Sequence, residues 1–373
     1  MDKETKALSV VVIGASGDLA RKKIFPALFA LFCQGFLPED FRIFGFSRSQ
    51  MDDAVFRERI VEHLTCRYAP GESCQEQMSA FLERCFYVPG HYDSRDAFLD
   101  LYQVMQREEE GTPTNRIFYL AIPPSIFLDV AKAIGGAGLV QCGISDPWSR
   151  VVIEKPFGRD RASSDTLVQE MGKVFREAQT FRIDHYLGKE VIQNLMVLRF
   201  ANLVFEPIWN RQYIRSVQIS WKEDLSVEGR GGYFNDYGII RDVMQNHLLQ
   251  IMSIVAMEPC TKLDAGHICN EKVKVVRQIP TLSLDDLVVG QYTAADWKGK
   301  HYAGYLEDEM VPGDSITPTF SAAALTIDND RWQGVPFLIR AGKGLECRNT
   351  EIRIQFRHVN KSMYDALGSD HSP

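Results

Sequence analysis

The apolar positions of this chain follow two rhythms. In the first part they come as short, nearly unbroken runs separated by helix-length segments. Leu8–Ile13 (LSVVVI) is apolar but for one serine, as suits a parallel strand buried on both faces. Residues 41–46 (FRIFGF), 116–121 (RIFYLA) and 150–154 (RVVIE) repeat that type, and 20–34 carry a helical period closed by Gly35. Buried strands alternating with helices predict an α/β, Rossmann-like, doubly wound parallel sheet. The second rhythm begins near residue 180. Residues 213–222 (YIRSVQISWK) alternate faces over a longer run, as an antiparallel strand does, and 271–278 and 351–358 read the same way. Residues 238–257 carry an apolar stripe at helical spacing. The second part therefore reads as an α+β domain with a large, mainly antiparallel sheet. The expected domains are 1–180 and 181–373, and 373 residues are enough for two cores. The polar break at 108–111 reads as a solvated loop.

Charge narrows the function classes. The chain has 42 Lys and Arg against 49 Asp and Glu, a net −7, which argues against a sequence-blind nucleic-acid binder. No apolar run approaches the roughly 20 residues that span a bilayer. The start, MDKETK, is polar and mixed in charge, unlike a signal peptide or an acid-poor transit peptide. The eight cysteines include no C-x-x-C pair, so no metal site is expected. Cys66 and Cys74 are, by spacing alone, free thiols.

The first strand runs into Gly14-Ala15-Ser16-Gly17-Asp18-Leu19-Ala20. Glycines there permit a tight turn close to a pyrophosphate, and a following helix offers free N–H groups. The string is not the usual G-x-G-x-x-G, and an ordinary strand–helix turn remains an open reading. The second strand ends in Ser47-Arg48-Ser49, with no acid to hold ribose hydroxyls. Arg48 suits a 2′-phosphate, so the cofactor expected is NADP rather than NAD.

The segment Arg182-Ile183-Asp184-His185-Tyr186-Leu187-Gly188-Lys189-Glu190 gathers polar chemistry. If a helix begins near His185, then His185 and Lys189 share a face at i, i+4 and form a phosphate clamp. A solvated helix start is the competing reading. Farther on, Ile239, Ile240, Val243, Met244, Leu248 and Ile251 form the stripe that Asp242 and His247 interrupt. By spacing alone His247 is a core histidine before it is a base. The turn at 229–232 (GRGG) is flexible enough to approach a ligand. The run at 154–158 (EKPFG) ends a parallel strand, where ligands gather in such sheets.

These motifs together resemble the glucose-6-phosphate dehydrogenase family, plant plastid branch. The matching strings are GASGDLA at 14–20, EKPFG at 154–158, RIDHYLGKE at 182–190, EGRGGYF at 228–234, RDVMQNHLLQ at 241–250 and RAGK at 340–343. They run in family order from about residue 8 to 358. The resemblance implies oxidation of glucose 6-phosphate to 6-phosphogluconolactone with reduction of NADP. It gives His247 the role of general base and Asp184 that of its orienting carboxylate. It makes His185, Tyr186 and Lys189 the phosphate clamp, and Glu223, Asp242, Lys343 and Arg348 further substrate ligands. Lys155 is similar to a lysine that bridges substrate and cofactor, and residues 14–20 match the cofactor loop. An ordinary imidazole titrates near about 6.5, which suits a base at neutral pH.

The resemblance also changes the reading of the cysteines. In the plastid branch a pair placed like Cys66 and Cys74 forms a disulfide reduced by thioredoxin, with Cys85 near enough to compete. It implies a chloroplast stromal location, with cytoplasm as the alternative, and a homo-oligomer in full-length members. It implies, too, a chain incomplete at its C-terminus, which leaves a second reading: a non-catalytic partner or regulatory subunit. Arg340 and Arg353 match a second, structural NADP site, where Asn349 replaces a lysine; Phe127 replaces a tyrosine near the cofactor.

Overall fold

A computed structural model describes residues 7–68, 73–140, 147–227, 229–297 and 299–358. The polar start, Glu228 of the glycine turn and the polar tail from Asp365 lie outside the described residues. The chain divides into two compact units between Ile183 and Asp184.

The N-terminal unit is built on six strands: β1 (Leu8–Ile13), β2 (Phe41–Ser47), β3 (Cys85–Pro89), β4 (Asn115–Leu120), β5 (Ser149–Glu154) and β6 (Thr180–Ile183). Their order is β3-β2-β1-β4-β5-β6 and every pairing is parallel. That is the doubly wound arrangement the alternation predicts, with helices on both faces. The helices are α1 (Phe25–Cys33), α2 (Asp53–Val61), α3 (Ser73–Glu83), α4 (Arg95–Glu109), α5 (Phe127–Gly136) and α6 (Arg161–Gly172). Two apolar layers result. Val11, Ile13, Phe44 and Phe118 pack toward α4 and α5, while Val10, Val12 and Ile43 pack with Phe25, Phe29, Phe56 and Phe81. A strand whose alternate residues feed two cores must be apolar throughout, which is why β1 and β2 read as unbroken runs.

Strand β3 (CFYVP) carries a short apolar run that was not among the strands expected; β6 is half exposed, and only pairing with β5 defines it. The break at 108–111 is half a loop. Helix α4 extends to Glu109, which is 4% exposed and accepts hydrogen bonds from Ser9 and Arg116. The chain then turns through Glu110 and Gly111, both at positive φ. Such a buried charge is tolerable only when paired.

The C-terminal unit holds a five-stranded sheet in the order β13-β7-β12-β11-β8. The strands are β7 (Ile214–Lys222), β8 (Leu287–Gly290), β11 (Phe320–Leu325), β12 (Phe337–Gly342) and β13 (Asn349–Phe356), and β9 (Ala295–Trp297) with β10 (Lys300–Tyr302) makes a separate hairpin. Only β7 and β12 pair in parallel. The helices are α7 (Glu190–Phe200), α8 (Gly231–Ile239), α9 (Leu249–Ala256) and α10 (Ala265–Arg277), with a π-helix, Ile240–Leu248, joining α8 to α9. Helix α10 overturns the strand expected at 271–278. Asp264 caps it by accepting from the His267 N–H, Lys274 and Arg277 lie in its last turn, and only Val275 is buried. The alternation of Lys and Val there was incidental, and the capping signals at both ends were the better guide.

Side chains from elsewhere in the unit finish α9. Arg199, 1% exposed, donates to the carbonyls of Ile254 and Met257; Trp209 donates to Val255 and Trp332 to Ala256. These are the carbonyls a helix end leaves unpaired. Arg199 sits on α7, just after the 184–189 segment. It therefore ties that segment to the helix carrying His247.

Candidate active site

Asp184 follows β6 directly, and its carboxylate faces the π-helix. Asp184 Oδ1 lies 2.5 Å from Nδ1 of His247 and also accepts the Tyr186 N–H at 3.0 Å. His247 is 3% exposed. With Nδ1–H committed to the carboxylate, Nε2 is left as the basic nitrogen. Burial alone would push the Asp184 carboxyl up, but the hydrogen bond and charge of His247, the Tyr186 N–H and His185 outweigh it and hold it below its ordinary value. The carboxylate is thus ionised at neutral pH and stabilises any charge that His247 acquires.

The helix expected to start at His185 starts later. Residues 185–188 are turns, Lys189 is the N-cap position and α7 begins at Glu190. Asp184 ties down the Tyr186 N–H, and Gly188 continues a chain of tight turns, so His185 and Lys189 do not share a helical face. Stacking brings them together instead. The Tyr186 ring lies 4.2 Å from the His247 ring, nearly parallel, and the Lys189 ammonium sits 3.6 Å from the centre of the Tyr186 ring. His185 meets the His247 ring edge-on at 4.7 Å. The Tyr186 hydroxyl accepts from the Trp221 indole. Burial lowers the Lys189 pKa, and the nearby charge of Arg348 lowers it further. Two cations that repel each other make a place for an anion.

The sugar-ligand candidates gather close by. Lys343 pairs with Glu223, and Glu223, Asp242 and Lys343 line a cavity of about 190 Å³ with Arg230 and Tyr233. Asp242 and His247 both lie on the π-helix, five residues apart. Five residues apart on an α-helix they would diverge by about 140°. In a π-helix, with more residues per turn, positions i and i+5 diverge much less. Sequence reasoning missed Trp221, and also Lys272 of α10, whose pKa burial lowers while the Asp184 charge nearby raises it. No spacing signal marks either one.

In the N-terminal unit the glycine turn follows β1. Gly14 has φ +89°, and a Cβ there would meet the Ala121 carbonyl oxygen at 2.4 Å, so only glycine fits. Ser16 lies beside Ser47 and Ser49, Arg48 is exposed, and Asp18 pairs with Arg21 and Lys22. Lys155 directly follows β5.

Two family models cover nearly the whole chain: the glucose-6-phosphate dehydrogenase NAD binding domain over residues 11–194 and the glucose-6-phosphate dehydrogenase C-terminal domain over 196–372. The chain belongs to the glucose-6-phosphate dehydrogenase family. It is 55% identical to a chloroplastic glucose-6-phosphate 1-dehydrogenase of Spinacia oleracea over 99% of its length and 64% of the relative's. It is 50% identical to the glucose-6-phosphate 1-dehydrogenase of Dictyostelium discoideum over 96% of its length and 70% of the relative's. A solved glucose-6-phosphate dehydrogenase in complex with glucose 6-phosphate superposes with a TM-score of 0.89 at 41% identity, covering 98% of this chain and 74% of that one. The chain thus spans just under two thirds of the spinach protein.

Cys66 and Cys74 are joined in a disulfide. Cys85, expected as a competitor, is fully buried on β3; its thiol contacts the Phe81 carbonyl, and burial pushes its pKa up. A buried neutral thiol is a poor exchange partner. Arg340 donates to Ser220 and Arg353 pairs with Glu351. Among the described residues no group of three or more His, Cys, Asp or Glu is placed to hold a metal, and no helix is long and apolar enough to cross a membrane.

Proposed function

We propose that this protein oxidises glucose 6-phosphate to 6-phosphogluconolactone while reducing NADP. The observation that carries the reading is buried His247 paired with half-buried Asp184, stacked on a tyrosine that in turn supports the Lys189 cation. His247 Nε2 takes the proton from the anomeric hydroxyl, and Asp184 holds the tautomer and stabilises the imidazolium. Lys189, His185 and Arg348 hold the phosphate, with the Tyr186 ring setting the height of Lys189. Glu223, Asp242 and Lys343 orient the sugar hydroxyls. NADP supplies the hydride acceptor; residues 14–20, Arg48 and Lys155 are assigned to it, the absence of an acid after β2 favouring the 2′-phosphate. A complete set of these groups supports catalysis over a non-catalytic partner role. NADPH absorbance on the purified chain with glucose 6-phosphate tests the proposal, and no turnover with either NADP or NAD refutes it.

Removing the Lys189 charge by Lys189→Met is expected to raise KM for glucose 6-phosphate about 10- to 100-fold, the worth of a charged hydrogen bond, with little change in kcat. A steady-state titration reads the split; a loss in kcat alone contradicts the clamp role.

The relatives named chloroplastic support a plastid stromal location, with cytoplasm as the alternative. The Cys66–Cys74 disulfide supports control by a dithiol reductant such as thioredoxin. Cys66→Ser is expected to abolish any difference in NADP-linked turnover between oxidised and reduced protein. The assay is run before and after dithiothreitol, and a redox response that survives the substitution places control elsewhere. Homo-oligomerisation, seen through the family resemblance, is part of the same proposal.

A further inference from the structure

The carboxyl end of β2 is fastened by a cluster of hydroxyls. Tyr87 lies on β3, in register with Gly45 of β2, and its ring packs 5.0 Å from that of Phe56. It is 7% exposed, so it has no surface to offer a ligand. Its hydroxyl reaches the turn after β2. There it donates to the Ser49 carbonyl at 2.6 Å and lies 2.7 Å from the Ser47 Oγ. The Ser49 hydroxyl donates to Ser16 Oγ at 3.1 Å, and Ser47 Oγ lies 2.9 Å from Ser16 Oγ, its single hydrogen shared between the Ser16 and Tyr87 contacts. Three segments are thereby tied together: the glycine turn after β1, the turn after β2, and β3.

Arg48 projects from between the two anchored serines, its guanidinium 5.4 Å from the centre of the Tyr92 ring. Recognition of a phosphate by charge-assisted donors depends on their geometry, and a loose turn loses entropy when it binds. We propose that the Tyr87 hydroxyl is a positioning group for cofactor choice: by holding Ser47 and Ser49 it sets Arg48 and Ser16 for a 2′-phosphate and so favours NADP(H) over NAD(H). This rests on the reading that residues 14–20 and Arg48 take the cofactor. It adds a residue that touches no ligand and that the glycine motif does not contain.

Tyr87→Phe keeps the ring and removes only the hydroxyl. Binding is read directly, by titrating NADPH and NADH fluorescence on the intact chain without substrate. Loss of one hydrogen bond in the support is expected to weaken NADPH about fivefold and leave NADH unchanged. Ser47→Ala, which cuts the same link from its other end, is expected to give the same selective loss, and thermal unfolding checks that each variant is folded. A general loosening of the unit would weaken both dinucleotides alike. Equal weakening, or an unchanged NADPH-to-NADH ratio in both variants, overturns the role of Tyr87. A wild-type chain with no preference for NADPH overturns the cofactor reading itself, and the inference with it.

Discussion

His247→Asn is expected to lower kcat by about 10²- to 10⁴-fold, the usual contribution of a positioned general base, while glucose 6-phosphate still binds. Asparagine fills similar space and can still reach Asp184 with an amide N–H. What it lacks is the basic Nε2 that faces away from the carboxylate. The clamp does not depend on that nitrogen, because Lys189 rests on the Tyr186 ring. Turnover followed by NADPH absorbance, beside calorimetric titration of glucose 6-phosphate, separates the two effects. Near-normal turnover would sink the assignment, and equal loss of binding and turnover would make His247 a packing residue.

Asp184→Asn is expected to cost nearly as much, about 10²- to 10⁴-fold in kcat, by a different route. A neutral amide no longer requires Nδ1–H, so the imidazole can present its proton, rather than its lone pair, to the substrate. The imidazolium formed in the reaction also loses its counter-charge. The carboxyl is held below its ordinary pKa, so ionised Asp184 favours the folded state. That contribution is fully present above the unfolded value of about 3.9 and is lost as the pH falls through the lower folded value. At neutral pH the variant should therefore also unfold at a somewhat lower temperature. Calorimetric unfolding of both proteins across pH 3–8 tests the sign: the gap between wild type and variant should close toward acid. A gap that widens there contradicts an ionised Asp184.

Much of the N-terminal unit was legible along the chain. Strands β1 and β2 are buried on both sides, and such strands leave unbroken apolar runs; β4 and β5 bury one face fully and still read as short apolar runs. Strand β6 is exposed and short, and only its neighbour gives it a partner, so no local pattern betrays it. Residues 271–278 show the opposite failure: Lys and Val alternated like a half-buried strand, yet Asp264 capped a helix. A period of two over a few residues is weak against a cap and a basic last turn.

The site divides in the same way. The residue types and their order, from Gly14 through Lys189 and His247 to Lys343, are written in the sequence, and the resemblance gave them roles. The arrangement of the candidate clamp residues was not. It was expected as an i, i+4 pair on a helix, and it is instead a stack of Lys189 on Tyr186 on His247.

What the sequence by itself determined is the chemistry available and the two kinds of sheet, because buried strands and motif residues are local in the chain. What only the tertiary structure decided is which groups meet. Asp184 and His247 are 63 residues apart and touch because Arg199 and two tryptophans dock α7 and its neighbours on the end of α9. The hydroxyl cluster around Tyr87 has the same origin. Each is a bargain among distant segments over unpaired polar groups, and no short window of sequence contains all the parties.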